Sequence, residues 1–406
     1  MAWIASAFKA LCLSFLFVSV ACRSTNGSKT FTSIWKSACA RSGSSKIYVP
    51  NGTFYLGGAV VFEGPCINQI EFIIDGTLLA PSNPGDIKNK TWINFRYINN
   101  LLISGAGTLD GQGKESWKLN DCSKNPSCPI LAMVSFLNHF IHSYNLVYKT
   151  FDYSNMGFAF VNNSRINGIT SLNSKMGHFD FFSVHQFNIT GVTIKAPGDS
   201  PNTDGLKFGF CSNIHISDTH IGTGDDCIAI LSGVTDMDIS NVKCGPGHGI
   251  SVGSLGKGKD DKDVNGLTVR DTVFNGTSDG IRIKTWESSI SQIVVSHLVY
   301  ENIQMINVGN PINIDQKYCP YPPCKKKGES HVQIQDLKLT NIYGTSKNKV
   351  AVKLKCSKSF PCKNVELVDI NLENKGSKGP STAVCENVHG SAHGKMVPEH
   401  CLNGPW

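Results

Sequence analysis

The chain has 406 residues, with 38 Lys and Arg against 31 Asp and Glu and a formal net charge of +7 at pH 7. No Pro/Ser-rich stretch or block of like charge divides it, which argues against two domains joined by a linker. The mild basic charge suits a polyanion such as nucleic acid, an anionic membrane or an acidic polysaccharide. It is equally common among secreted proteins, so charge alone selects no function.

The N-terminus has the pattern of a secretory signal. An apolar stretch over residues 10–20 follows Lys9 and ends at the small residue Ala21. This stretch is too short to span a bilayer, and no later window is apolar enough to do so. We therefore predict a signal peptide over residues 1–21, a mature domain over residues 22–406, no membrane span and an oxidising extracellular compartment.

The 15 cysteines agree with such a compartment. Because no pair has the C-x-x-C spacing of a zinc site, we interpret the closely spaced cysteines as local disulfides. The predicted pairs are Cys122 with Cys128, Cys319 with Cys324, Cys356 with Cys362, and Cys385 with Cys401. Six N-x-S/T sequons predict glycosylation candidates on surface turns. They lie at Asn26, Asn51, Asn89, Asn162, Asn188 and Asn275.

Helical periodicity occurs only near residues 30–40, and elsewhere short β-branched runs alternate with polar turns. Apolar doublets recur at steps of 22 and later 31 residues: Leu206/Phe208, Ile228/Ile230, Ile250/Val252, Ile281/Ile283 and Ile312/Ile314. A second column runs through Ile214/Ile216, Met237/Ile239, Leu267/Val269, Ile293/Val295 and Val332/Ile334. Such repeats predict an all-β solenoid, a parallel β-helix with a short N-terminal capping helix. A propeller or sandwich is disfavoured because few hairpin turns are present.

Polar residues precede the doublets at a constant offset. Asp204, Asp226 and His248 each lie two residues ahead of a doublet, at intervals of 22 residues. In a solenoid, equal offsets place side chains on neighbouring coils about 4.8 Å apart. Asp225 lies one residue before Asp226, so its side chain is expected to project from the start of the same strand at a different angle. Three acidic groups are therefore expected on one surface.

Each aspartate alone is typical of a solvated turn. The whole line is not, because stacked like charges repel and destabilise the fold unless a cation or a function compensates. Such repulsion raises the pKa of one carboxyl, which is how a general acid stays protonated beside a general base. The pattern therefore favours glycoside hydrolysis, in which one carboxylic acid protonates the leaving oxygen while a carboxylate activates water.

Two basic residues on a further coil suit an acidic sugar. Arg282 and Lys284 flank Ile283 and are expected to face outward. A guanidinium can pair with a uronate carboxylate through two hydrogen bonds, and a lysine adds a point charge. His248 is suited to orient the acid. The residues thus indicate an acidic polysaccharide as the substrate.

Four strings resemble, in this order, the signatures of polygalacturonases, glycoside hydrolase family 28. They are Asn202-Thr-Asp-Gly205, Gly224-Asp-Asp226, Gly247-His-Gly249 and Arg282-Ile-Lys284, and the likeness covers most of residues 40–405. The resemblance implies a single-stranded, right-handed parallel β-helix that hydrolyses the α-1,4 linkages of homogalacturonan with inversion. It also implies no cofactor, no metal and no nucleic-acid partner. We expect a secreted, monomeric enzyme of the cell wall.

The resemblance also assigns roles to individual residues. It makes Asp225 the general acid and Asp204 with Asp226 the pair that activates water, while His248 assists near the acid. Asn202, Arg282, Lys284 and Tyr318 match the substrate-binding positions of the family. Cys227 and Cys244 resemble a family disulfide that braces the strands beneath the site.

Several alternatives stay open at this point. The stretch over residues 350–367 is similar to plant pollen-type members, which implies exo action, with endo action or an impaired pectin-binding relative as alternatives. An aromatic-rich segment over residues 134–155 breaks the strand rhythm, and is interpreted either as a loop near the cleft or as a segment retained by an imperfect gene model. A calcium-dependent lyase with an arginine base, or a hydrolase of rhamnogalacturonan or xylogalacturonan, is a rival function.

Overall fold

A computed structural model describes residues 27–87, 91–120, 153–320, 328–376 and 378–404. Several predictions fall outside these residues: the signal peptide, Asn26, Asn89, Cys122, Cys128, Cys324 and nearly all of the segment 134–155. Among the described residues, no helix is both long enough and apolar enough to cross a bilayer.

The described chain consists mainly of short strands. The helices are α1 (Gly27–Cys39), a 3-10 turn (Pro84–Asp86) and α2 (Lys114–Leu119). The strands are β1 (Ser45–Val49), β2 (Thr53–Tyr55), β3 (Val60–Glu63), β4 (Ile70–Ile74), β5 (Thr77–Leu79), β6 (Ile93–Asn99), β7 (Leu101–Ser104), β8 (Thr108–Asp110), β9 (Met156–Asn167), β10 (Thr170–Leu172), β11 (Phe179–Phe182), β12 (His185–Thr190), β13 (Thr193–Lys195), β14 (Leu206–Gly209), β15 (Ser212–Ser217), β16 (His220–Gly222), β17 (Ile228–Ile230), β18 (Thr235–Ser240), β19 (Lys243–Cys244), β20 (Ile250–Leu255), β21 (Val264–Asn275), β22 (Asp279–Trp286), β23 (Ile293–Val308), β24 (Asn310–Tyr318), β25 (Val332–Ser346), β26 (Val350–Lys355), β27 (Cys362–Asn374), β28 (Thr382–Glu386) and β29 (Val388–Val397).

These strands stack in parallel into three sheets that share one core. Sheet 1 contains β3, β6, the start of β9, β11, β14, β17, β20, β22, β24, β26 and β28. Sheet 2 contains β1, β4, β7, the end of β9, β12, β15, β18 and the first halves of the long strands that follow. Sheet 3 begins with β2 and β5 and ends in the later halves of those strands. The predicted parallel β-helix is confirmed.

Alternation along each strand builds the core, because successive side chains in a strand point to opposite faces. Inward-pointing phenylalanines of sheet 1 stack from coil to coil. The ring centroids of Phe95 and Phe158 are 5.5 Å apart, those of Phe158 and Phe181 4.8 Å, and those of Phe181 and Phe208 4.6 Å. This row of buried rings holds adjacent coils in register beneath the outer face of sheet 1.

Helix α1 covers the N-terminal end of the core, as the predicted capping helix requires. Its buried face carries Phe31 and Trp35. The Trp35 ring lies 4.9 Å from that of Phe62 in the first coil. A disulfide from Cys39 to Cys66, which the sequence analysis did not pair, ties the end of the helix to that coil.

The first column of apolar doublets has the predicted register. Leu206 pairs with Ile228, Ile228 with Ile250, Ile250 with Ile281 and Ile281 with Ile312. The second column was wrong at one step, from Leu267/Val269 to Ile293/Val295, whereas Ile293 pairs with Val332 and Val295 with Ile334 as expected. Leu267 pairs with Leu298 and not with Ile293, because β23 begins with an additional apolar segment ahead of Leu298.

The cysteine predictions agree with the structure where it describes both partners. Disulfides join Cys356 to Cys362, Cys385 to Cys401, and Cys227 to Cys244. Cys319 is also disulfide-bonded, and its predicted partner lies outside the described residues. Cys211 is a buried free thiol.

Candidate active site

The three aspartates lie where two adjacent coils enter sheet 1. Asp204 precedes β14, and Asp225 with Asp226 precede β17. The Gly205 amide donates to the Asp226 carbonyl at 2.9 Å, which fixes these two coils side by side. His248 precedes β20 on the next coil. The structure therefore brings the predicted acidic groups and the histidine together on one face.

Asp225 links these coils through its carboxylate. Its Oδ1 lies 2.9 Å from His248 Nδ1 and accepts the Asp226 amide at 2.8 Å. Asn202 donates to its Oδ2 at 3.4 Å, and Asn120 donates to Asn202 at 2.9 Å. His248 thus contacts Asp225, although its sequence offset placed it in line with Asp226.

The Asp225–His248 contact determines where a proton is held. Burial alone raises the pKa of Asp225, but the hydrogen bond and charge of His248 outweigh it and leave that pKa below its ordinary value. Burial alone lowers the pKa of His248, and the hydrogen bond and charge of Asp225 raise it above its ordinary value. In the unliganded protein the pair therefore holds its shared proton on the imidazole.

The turn that carries His248 depends on its glycines. Gly247 has φ +151° and Gly249 has φ +84°, both in the region that L side chains rarely adopt. A Cβ on Gly249 would lie 2.3 Å from the Gly280 carbonyl oxygen. The His248 amide can then donate to the Asp225 carbonyl at 2.8 Å, which fixes the imidazole next to the acid.

Asp226 is almost fully buried, with 2% of its surface exposed. The Lys284 ammonium lies 2.7 Å from its Oδ2, and the Ser251 hydroxyl donates to Oδ1 at 2.7 Å. Arg282 lies 3.6 Å from Oδ1. Buried charges are stable only when paired and hydrogen-bonded, and Asp226 has partners of both kinds.

Asp204 has a different environment. Its Oδ2 lies 2.9 Å from the Lys207 ammonium. Burial raises the pKa of Asp204 to about 7, Lys207 opposes that rise, and the charges of Asp225 and Asp226 add to it. The two aspartates thus have different cations, since Asp204 is paired with Lys207 and Asp226 with Lys284.

Arg282 and Tyr318 form the basic and aromatic side of the site. The Arg282 guanidinium lies 3.9 Å from Asp279 and 5.7 Å from the centre of the Tyr318 ring. Lys284 Nζ lies 5.7 Å from the same ring. All of the residues that the sequence analysis selected therefore meet, but the Lys284 ammonium is already committed to Asp226.

Sequence reasoning missed Lys207, Ser251 and Asn120. Two of them had a usable signal, because Lys207, Ala229, Ser251 and Arg282 occupy one outward column across four coils. An outward position between two inward ones, in register with Arg282, marks a residue of the same surface. Asn120 follows α2, far from the repeat, and had no comparable signal.

A metal ion does not suit this donor set. Asp225, Asp226 and His248 each offer one ligand atom, and these atoms lie within 4.8 Å of one another. The Lys284 ammonium, 2.7 Å from Asp226, already neutralises one carboxylate and would repel a cation.

Comparisons with known proteins show the family of this chain. The sequence profile of Glycosyl hydrolases family 28 matches residues 39–397, and the chain belongs to that family. It is 41% identical over 365 residues to a protein named Exopolygalacturonase from Platanus acerifolia, covering 90% of this chain and 91% of that one. It is also 41% identical to a protein of the same name from Oenothera organensis, covering 93% and 98%.

A solved structure shares the fold. The endo-xylogalacturonan hydrolase from Aspergillus tubingensis superposes with a TM-score of 0.71 at 17% identity, covering 93% of this chain and 98% of that one. The shared architecture is the right-handed parallel β-helix. Membership of a hydrolase family disfavours the calcium-dependent lyase, and the site offers its carboxylates in place of an arginine base.

Proposed function

We propose that this protein is an exo-acting polygalacturonase, which hydrolyses α-1,4-galacturonosyl linkages of pectin with inversion. One observation carries the proposal: a proton-holding Asp225–His248 pair lies beside a carboxylate fixed by Lys284, with Arg282 at the rim. This arrangement supplies an acid, a base and a cation for a uronate on one face of the β-helix. Exo action is supported by the names of the relatives from Platanus and Oenothera.

The acid step uses the shared proton of Asp225 and His248. When the sugar displaces water from the cleft, the proton passes across the 2.9 Å hydrogen bond to Asp225. Asp225 then donates it to the glycosidic oxygen as that bond breaks. Asn202, which donates to the other oxygen of Asp225, holds the carboxyl in orientation.

The base step uses the other two aspartates. Asp226, held by Lys284 and Ser251, accepts a proton from the attacking water. Asp204, on the preceding coil and paired with Lys207, helps to orient that water. Arg282 pairs with the sugar carboxylate, while the Tyr318 side chain packs against the sugar ring.

We also propose that the protein is secreted, glycosylated and monomeric in the cell wall. The predicted signal peptide and the disulfides of the β-helix support an oxidising compartment. The side chains of Asn51, Asn188 and Asn275 are exposed, as glycan acceptors must be.

Product analysis on polygalacturonic acid tests the proposed function. Exo action releases galacturonate monomer from the first time points, without intermediate oligomers. A falling ladder of oligomers would show endo action instead. No increase in reducing ends would contradict the polygalacturonase assignment.

The Asp225–His248 pair predicts a pH dependence. Because the pKa of His248 is raised, the pair is protonated below about pH 6.5, the ordinary value, and kcat/KM falls as pH rises through the higher pKa. His248→Gln should lose about a hundredfold in rate and should no longer show this alkaline limb. An unchanged alkaline limb in that variant would assign the titration to another group.

A further inference from the structure

A cluster of one lysine and two aromatic rings lies at the C-terminal ends of the sheet 1 strands, beyond the proposed catalytic residues. Lys257 Nζ lies 4.6 Å above the centre of the Trp286 ring. The Trp286 and Tyr318 rings are 5.5 Å apart and meet edge to face. Trp286 and Tyr318 are also paired in register between β22 and β24. The cluster therefore continues directly from the Tyr318 ring that borders Arg282.

The loop that carries Lys257 is held in place. Asp261 accepts the amides of Gly256 and Gly258 at 2.8 and 3.3 Å, and the Ile290 amide donates to the Gly256 carbonyl at 2.8 Å. Gly256 has φ +90°, so the turn is specific to glycine at that position. The ammonium is thus presented over Trp286 by a fixed turn, which lowers the entropic cost of binding a ligand there.

No carboxylate of the described residues forms an ion pair with Lys257. Two other lysines at the same edge, Lys317 and Lys355, both pair with Glu386 at 2.9 Å. Lys257 is exposed and makes no ion pair among the described residues, and its contact there is the Trp286 ring. An exposed ammonium beside a half-exposed indole is suited to a sugar that carries a carboxylate, since the ring packs on the sugar and the lysine meets the charge.

We propose that Lys257 and Trp286 form an additional subsite. It binds a uronate sugar that is the direct neighbour of the sugar held by Arg282 and Tyr318. The proposal rests on the proposed function, because it assumes a polymer of acidic sugars in the same cleft. It extends recognition from the sugars that flank the cleaved bond to a third sugar. Substrates of three or more sugars occupy the subsite, and digalacturonate leaves it empty.

Steady-state kinetics of Lys257→Gln on di- and trigalacturonate and on polygalacturonate test the subsite. Lys259→Gln is the matched control, because it makes the same charge change at another exposed position of the same loop. We expect Lys257→Gln to raise KM about threefold to tenfold on the trimer and polymer, with kcat retained and the dimer unaffected. Lys259→Gln should match the parent on every substrate. The effect of Lys257→Gln should shrink on methyl-esterified polymer, in which the carboxylate is masked.

Two results would overturn the subsite. One is a Lys257→Gln variant that matches Lys259→Gln on the trimer and polymer. The other is an equal loss on dimer and polymer, which would mean that Lys257 only supports the loop. Failure of the proposed function is distinguishable from both, because the parent protein itself would then release no galacturonate from any of these substrates.

Discussion

Replacing Asp225 with asparagine is expected to lower kcat on polygalacturonate at least about a hundredfold, the usual scale for a lost general acid. Asparagine has nearly the same shape and can still contact His248 and Asn202, so folding and polymer affinity should persist. It cannot deliver a proton to the leaving oxygen. The measurement is kcat and KM from reducing-end release, with the thermal midpoint as a check on folding.

A matched control for this variant is Asp218→Asn. Asp218 is an exposed aspartate that accepts a hydrogen bond from Asn241 at 2.6 Å, away from the proposed site. The chemical change is identical, and parent activity is expected. Near-parent turnover in Asp225→Asn would remove the assignment of the general acid.

The second large effect is expected for Lys284→Met. This change leaves the buried Asp226 without its closest cation, and breaking a buried ion pair costs about 3–5 kcal/mol. The free energy of unfolding in urea should fall by that amount. Activity should also be lost, because the carboxylate that is proposed to accept a proton from water loses the ammonium that holds it in position.

The double variant Asp226→Asn/Lys284→Met separates the two consequences. Removing both charges avoids an unpaired buried carboxylate, so stability should return toward that of the parent. Activity should stay absent because the base is missing. A single Lys284→Met variant with parent stability, or a double variant with restored turnover, would contradict the role given to this ion pair.

The periodic part of the structure was predictable from sequence. Leu206, Ile228 and Ile250 are separated by the length of one uninterrupted coil, so their register followed from counting. The register error at Ile293 has a physical cause, since β23 begins with extra apolar residues ahead of Leu298, the residue that pairs with Leu267. The Cys39–Cys66 pair was missed because its partners are distant in sequence and meet only when α1 caps the first coil.

The residues that form the site were also predictable, but the contacts among their side chains were not. Equal offsets brought Asp204, Asp226 and His248 to one face. Side-chain direction then decided that His248 contacts Asp225 and that Lys284 reaches back to Asp226. Such contacts depend on turn geometry and side-chain length, which a repeat does not encode.

The central claim is that water, activated by Asp226 with Asp204, attacks the sugar directly. One carboxylate oxygen of Asp225 and one of Asp226 lie within 4.8 Å of each other. This separation is shorter than the roughly 6.5–9.5 Å typical of inverting enzymes, so the stereochemistry of the product decides between inversion and retention. Proton NMR of the first galacturonate released, recorded before mutarotation, measures it. We predict the β-anomer from the α-linked polymer. Initial release of the α-anomer would show retention through a covalent intermediate and would contradict the mechanism.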